Sequence, residues 1–337
     1  MGYELPLEDS PFKLDRHGPV FILGCPRSGT TFLSRCLAAI RGVEEFVGIL
    51  CPPRLCHLLA AEDRPDREAA LLAGIRDVFW GAFWHRRYSR AERLVQLLRG
   101  RLTLGTALRA PSLDGALFCY KEPFLCFPAE KFARHFPNAR FIHIVRDGRD
   151  NADSLERTYP DALSDPVVTS DFLSGNKNSE IGLWEKHGGV NVPWWVSAAD
   201  AVRFGAMSRY ERCVLMWREM TSRARAVGRL APTRYFELRY EDLVRDPVRW
   251  GTAMVNFLGR EYDRRVHRAF TRAFAGSVAI ARRNQSAERI RAADAIAGPL
   301  LWELGYDVRP GSPAEQVERD ANAGRVALVG LNPVVQE

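Results

Sequence analysis

Pro19-Val20-Phe21-Ile22-Leu23-Gly24-Cys25-Pro26-Arg27-Ser28-Gly29-Thr30-Thr31 is the stretch that decides the fold. Val20 to Leu23 is an apolar run of strand length, bounded by a turn signal. Gly24 to Gly29 reads as that turn. From Thr30 to Ala39 a helix is predicted, because Phe32, Leu33, Cys36 and Leu37, with Ile40 beyond, recur at helical spacing. Strand, glycine turn and helix together aim the free backbone N–H groups of a helix start at an anion. The two glycines have the G-x-x-x-x-G spacing of a phosphate-binding loop. A nucleoside triphosphatase would place Lys-Ser/Thr after the second glycine; this chain has Thr30-Thr31, and its cation is Arg27. The loop therefore reads as a seat for a terminal group of low charge, held without metal. An incidental glycine turn is the plainer reading of the same residues.

The pattern continues outward. Leu117 to Tyr120 reads as a second strand closed by Pro123, Pro128 to His135 as a short helix, and Phe141 to Val145 as a third strand. A helix starts near Asp150, with Asp150 or Asn151 as its cap and Asp153 in its first turn. Arg209 to Val227 is a long helix and Tyr235 to Arg239 a strand, followed by helices around 247–258, 263–275 and 293–304. Residues 67–109 carry helical patterns broken by Gly74, Gly81, Gly100 and Gly105. Strands separated by helices predict an α/β fold, a central parallel sheet flanked by helices. Residues 1–17 read as a polar lead-in, 18–310 as a single domain and 311–337 as a loosely packed tail. Segments 40–115 and 158–205 read as insertions or lids.

Composition narrows the class. The chain has 337 residues, 46% hydrophobic and 26% charged, enough for a sizeable core. No apolar run approaches the roughly 20 residues that span a bilayer, and Met1 to Asp15 does not read as a signal peptide. A soluble, cytoplasmic protein with no membrane partner is expected. The 7 cysteines are odd in number with no CxxC pair, so neither a disulfide framework nor a zinc site is expected. Net charge is +7 without a run of five Lys or Arg, so a nucleic-acid patch is not expected; an anionic small molecule fits the charge, as does a surface rich in arginine for compositional reasons alone, and charge by itself decides nothing.

A second anion site follows the third strand. Arg146 stands at its C-terminal edge, where ligands bind in open α/β sheets, and Arg suits bidentate phosphate contact. Ser154, eight residues on, lies near the second helical turn, so both can reach one anion. A nucleotide phosphorylated at both its 5′ and 3′ positions needs such a pair of sites.

At this point the chain resembles the sulfotransferases that use 3′-phosphoadenosine 5′-phosphosulfate (PAPS), nearest to the protein-tyrosine sulfotransferase branch and its bacterial small-molecule relatives. Pro26 to Thr31 resembles the 5′-phosphosulfate loop and Arg146…Ser154 the 3′-phosphate motif. Tyr120-Lys121-Glu122-Pro123-Phe124, Phe136 to Phe141, Val145 to Arg149 and Arg239-Tyr240-Glu241-Asp242-Leu243 are similar to further motifs of that branch, in order across about 20–310. The resemblance implies a P-loop-like sulfotransferase fold with helical and loop insertions. It implies that Arg27, Thr30 and Thr31 hold the phosphosulfate, with backbone N–H groups from Ser28 and Gly29. Arg146 and Ser154 would hold the 3′-phosphate, Tyr240 would lie near the adenosine, and Lys121 would touch the bridging oxygen or the sulfonate.

The implied reaction moves a sulfonate in line from PAPS, as co-substrate and without metal, to a hydroxyl or amine of a small molecule. Arg27 and Lys121 would stabilise the charge that builds on the leaving oxygens. A base must take the acceptor proton. The branch's glutamate, counted forward from the loop without a gap, falls at Gly48. Glu45, then Glu122, then His57 are the candidates in its place, with Glu44 beside the first. Trp184, Trp194 and Trp195 read equally as an acceptor-pocket wall and as anchors of a long loop; Trp80 and Trp84 read as core. The Ala- and Arg-rich composition leans bacterial. A P-loop-type nucleotide kinase or NTPase and a non-catalytic nucleotide-binding protein remain as alternatives.

Overall fold

The computed structural model describes residues 13–48, 50–100, 113–159, 184–187, 189–273 and 285–308, together with Leu104, Leu163 and Val278. Seven strands occur among them: β1 Val20–Leu23, β2 Val43–Val47, β3 Leu117–Lys121, β4 Arg140–Val145, β5 Trp184–His187, β6 Val190–Pro193 and β7 Tyr235–Arg239. Five of these form one sheet in the order β2-β3-β1-β4-β7, every pairing parallel. The predicted α/β fold with a central parallel sheet is what forms. All four residues of β1 are buried, as a strand covered on both faces requires.

Side-chain alternation divides the core. Phe21, Phe118 and Phe141 point to one face, where they meet Phe79, Phe132 and Phe136; the Phe21 ring lies 5.1 Å from that of Phe132 and 5.4 Å from that of Phe136. Val20, Ile22, Cys119 and Ile142 point to the other, under the helices Thr30–Leu37, Pro247–Phe257 and Arg264–Phe270. From β1 the chain leads to β2, returns through β3 to one flank of β1, then crosses to β4 on the other. The winding reverses at β1, so a crevice opens at its C-terminal end. Gly24 to Gly29 lies there.

Several expectations change. Gly74 and Gly81 do not break their helix: it runs unbroken over Pro65–Tyr88. Both glycines face solvent. Each costs about 1 kcal/mol against Ala, whereas burying Leu72, Ile75, Phe79 and Phe83 along the opposite stripe contributes about 1.5–3 kcal/mol apiece. Segment 40–115 is not wholly an insertion, because β2 is the edge of the sheet. Its two glutamates disguised it; Glu44 pairs with Arg87 at 3.1 Å and Glu45 accepts a hydrogen bond from Ser34 Oγ. The lead-in is not wholly polar packing either, since Leu14 is fully buried in the core and Asp15 lies 3.5 Å from Arg76. Within 158–205, β5 and β6 form an antiparallel hairpin and Ala201–Ala206 a short helix.

The helix after β4 is Gly148–Thr158, and its cap is Asp147, which accepts from the Arg149 N–H at 3.0 Å, rather than Asp150 or Asn151. The last helix, Ala287–Glu303, starts earlier than its apolar pattern, at a Ser286 cap. Trp84 is exposed and stacks on Tyr88 rather than entering the core. The seven cysteines are free and buried. Among the described residues no helix is long and apolar enough to cross a membrane. The tail 311–337, Gly105, Gly188 and the Trp184 side chain lie outside the described residues.

Candidate functional site

The loop at the end of β1 has the backbone of an anion cradle. Gly24 has φ +146°, and a Cβ there would sit 2.5 Å from the Ile144 carbonyl oxygen. Gly29 has φ +100°, and its missing Cβ makes room for the Tyr240 ring, whose Cδ2 lies 2.6 Å from where that Cβ would be. Arg27 between them takes φ +72°, a left-handed conformation that a non-glycine residue adopts at a cost. Ser28 N–H donates back to the Cys25 carbonyl at 3.1 Å and closes the turn. No side chain caps the helix Thr30–Leu37, so its first-turn N–H groups, with Thr30 and Thr31, are presented at the crevice.

The second motif folds onto the first. Arg27 Nε donates to Ser154 Oγ at 3.2 Å, and Arg146 Nη1 donates to the Arg27 carbonyl at 3.2 Å. Two anion motifs more than 100 residues apart therefore share one hydrogen-bonded network. Arg146 and Ser154 are both buried. Arg146 also lies 3.7 Å from Asp150, and its guanidinium sits over the Tyr240 ring at 5.7 Å. Asn151, to which the sequence reading assigned only a capping role, clamps the loop: its Nδ2 donates to the Pro26 carbonyl and to Ser28 Oγ, each at 2.9 Å. Nothing local marks that role, because the partners lie 123 and 125 residues away.

A buried ionic layer fixes the start of this helix. Arg149 forks onto Asp147, 2.9 and 2.8 Å, and reaches Asp294 at 3.2 Å. Glu241 accepts from the Asp147 N–H at 2.9 Å and from the Tyr306 hydroxyl at 2.9 Å. Gly148 is required because a Cβ would fall 2.6 Å from the Trp217 ring. The Arg149 of the second motif thus carries architecture, not ligand contact.

Lys121 ends β3, level with Ile22 of β1 and Val47 of β2. Burial lowers its pKa, while Glu122 and Glu45 raise it. Its ammonium makes no hydrogen bond among the described residues. Glu122 follows; its Oε1 accepts from the Phe124 N–H at 3.2 Å and caps the turn Pro123–Cys126. Burial pushes its pKa up to about 7, against the Phe124 N–H and Lys121, which pull it down. Cys126 Sγ accepts from the Gly24 N–H at 3.2 Å, which ties this turn to the anion loop. Glu45 lies on the other sheet face, beside the helix Thr30–Leu37 and engaged with Ser34. His57 is buried and stacks on Trp194, centroids 4.5 Å apart. Trp194 packs on Phe127 at 4.7 Å. With Trp195, Leu215, Glu219 and Arg223 it lines a cavity of about 170 Å³. Trp194 and Trp195 therefore both anchor their segment and wall a cavity.

The structure unites Arg27, Ser28, Gly29, Thr30, Arg146, Ser154 and Tyr240 at one spot, with Lys121 and Glu122 at the end of the adjacent strand; Glu45 acts on Lys121 from β2 but is engaged with Ser34. Residues 19–173 match the model described as Sulfotransferase family. Protein-tyrosine sulfotransferase 1 of Danio rerio is 23% identical over 90% of this chain and 77% of that protein. Its Mus musculus counterpart is 33% identical over 40% of this chain and 33% of that protein. Among solved structures, the sulfotransferase domain from the Synechococcus PCC 7002 olefin synthase covers 86% of this chain and 96% of its own at 18% identity, TM-score 0.47.

Proposed function

We propose that this chain, whose residues 19–173 match the model described as Sulfotransferase family, moves a sulfonate from PAPS to a hydroxyl or amine of a small molecule. The observation that carries this reading is the convergence of the two anion motifs through Arg27, Ser154 and Arg146. A donor with phosphates at its 5′ and 3′ ends would engage both at once. The residues suit that group. Two glycines leave a cradle that side chains would fill, and a helix start offers uncapped N–H groups.

In this reading Arg27, Ser28, Gly29, Thr30 and Thr31 hold the 5′-phosphosulfate, and Arg146 and Ser154 hold the 3′-phosphate. Tyr240, packed on Gly29 beneath Arg146, flanks the adenosine. Arg27 and Lys121 stabilise the negative charge that builds on the leaving phosphate oxygen, and no metal is needed for that. Lys121 is suited to the task because no other group in the described structure holds its ammonium. Trp194 offers an aromatic wall for the acceptor. Seven free, buried thiols favour a reducing, cytoplasmic compartment.

Calorimetric titration with 3′,5′-adenosine bisphosphate in EDTA tests the reading, with 5′-AMP and ATP as controls. Tight binding that needs the 3′-phosphate is the expected result; binding of ATP with Mg²⁺ alone would return the loop to the nucleotide kinases. Arg146→Ala should weaken PAPS by about 10- to 100-fold, the loss of a charge-assisted hydrogen bond, and adenosine 5′-phosphosulfate by less. Equal losses would remove Arg146 from the 3′ site.

A further inference from the structure

We propose that Glu122 is the general base of the transfer, taking the proton of the acceptor hydroxyl or amine as its oxygen or nitrogen bonds to sulfur. The inference rests on the donor reading above and adds the group that deprotonates the acceptor.

Three observations carry it. First, Glu122 follows Lys121 at the C-terminal end of β3, and the turn it caps is bonded to the anion loop through Cys126 and Gly24. Second, only one of its oxygens is engaged by the turn. Oε1 takes the Phe124 N–H, whereas Oε2 looks onto Gly48: a Cβ at Gly48 would meet Oε2 at 4.0 Å and, its chain neighbours aside, no other atom of the described residues within that distance. The missing side chain leaves a gap in front of the carboxylate. The backbone across that gap is held in place, because the Gly48 N–H donates to the Lys121 carbonyl at 3.1 Å and the Tyr120 hydroxyl donates to the Gly48 carbonyl.

Third, the surroundings suit a proton acceptor. Among the described residues, Lys121 and Tyr120 of β3, Cys56 of the helix Pro53–Ala61 and Cys126 of the turn feel the charge of the carboxylate. Burial raises the pKa of Tyr120, Cys56 and Cys126, so they stay neutral and Lys121 is the charge it meets. Burial also brings Glu122 itself up to about 7, near the pH at which a base works best. The other candidates are differently placed. Glu45 also acts on Lys121, but its Oε1 is taken by Ser34, and the His57 ring is covered by Trp194.

The step balances. The acceptor lone pair forms the new O–S or N–S bond, and the bond from sulfur to the bridging oxygen breaks. Its electron pair stays on the 5′-phosphate beside Arg27 and Lys121. The acceptor proton passes to Glu122 and then to solvent, leaving the sulfonated acceptor and adenosine bisphosphate.

Glu122→Gln tests it, because the amide oxygen can still cap Phe124. The assay follows sulfonate transfer from PAPS to 2-naphthol, to pentafluorophenol and to water, with bisphosphate affinity and the melting temperature measured beside it. Pentafluorophenol is ionised at the assay pH and has no proton to lose. Expected are unchanged affinity and melting, a loss of about 10²–10⁴-fold with 2-naphthol, a far smaller loss with pentafluorophenol, and disappearance of the acid limb near pH 7 in the 2-naphthol profile. Equal losses with both phenols would reduce Glu122 to a structural cap and overturn the proposal. So would full activity of E122Q, a loss found in Glu45→Gln instead, or wild-type protein that binds bisphosphate yet transfers to none of the three. Failure of the wild type to bind bisphosphate would instead overturn the donor reading itself.

Discussion

Gly29 shows how far one residue can decide the site. Its φ of +100° excludes most side chains, and a methyl group would enter the Tyr240 ring, which in turn lies under Arg146. Gly29→Ala should therefore cost about 1–3 kcal/mol of stability and weaken bisphosphate binding as Tyr240 and Arg146 shift. Gly81→Ala is the contrast. That position is helical with nothing within 4 Å of the added carbon, so the change should stabilise by about 0.5–1 kcal/mol. Thermal melts of the two variants in opposite directions would bear this out; a harmless Gly29→Ala would sink it. The loop glycines were legible because their spacing is a local property of the chain. The clamp by Asn151 was not, since its partners are neighbours only in space.

At the scale of elements, the helix Gly148–Thr158 carries the 3′-phosphate candidates and depends on one carboxylate. Asp147 caps its first turn and neutralises the buried Arg149. Asp147→Ala removes both functions and leaves Arg149 with Asp294 alone as its acid. A destabilisation of about 3 kcal/mol is expected in urea titration. Asp147→Asn keeps an oxygen for the cap and should lose less; equal losses would mean that the cap contributes nothing and the charge pairing carries the whole effect. Strand β2 teaches a different point at this scale. Val-Glu-Glu-Phe-Val reads as a polar stretch, yet it pairs along β3 because Arg87 and Ser34 satisfy the glutamates. An edge strand needs only one good flank, so its own pattern is weak.

At the scale of the molecule, Glu237 links both layers on one face of the sheet. His143 on β4 meets it at 3.0 Å and Arg225, from the helix Arg209–Leu230, at 3.3 Å. Arg225 also reaches Glu303 of the last helix at 2.7 Å. Burial alone would raise the Glu237 pKa, but the His143 and Tyr235 hydrogen bonds and the Arg225 charge override it and bring it to about 2. A carboxylate lowered by folding adds stability that is full at neutral pH and fades as the pH falls toward its folded value. The loss should fall between about pH 4.5 and pH 2, and Glu237→Gln should flatten that part of the stability curve. An unchanged acid slope in the variant would show that the group does not drive acid unfolding.

The primary structure alone was enough for the alternation of strands and helices, the glycine loop after β1 and the candidate anion-binding residues Arg27, Arg146 and Ser154. Each of these is written in periodicity or spacing over a few residues. The tertiary structure alone decided that Arg27 reaches Ser154, that Asp147 rather than its neighbours caps the helix, and that Glu45 and Glu122 stand on opposite sides of the sheet. Those outcomes depend on strand order and on which face each side chain takes, and a chain acquires both only when distant segments pack together.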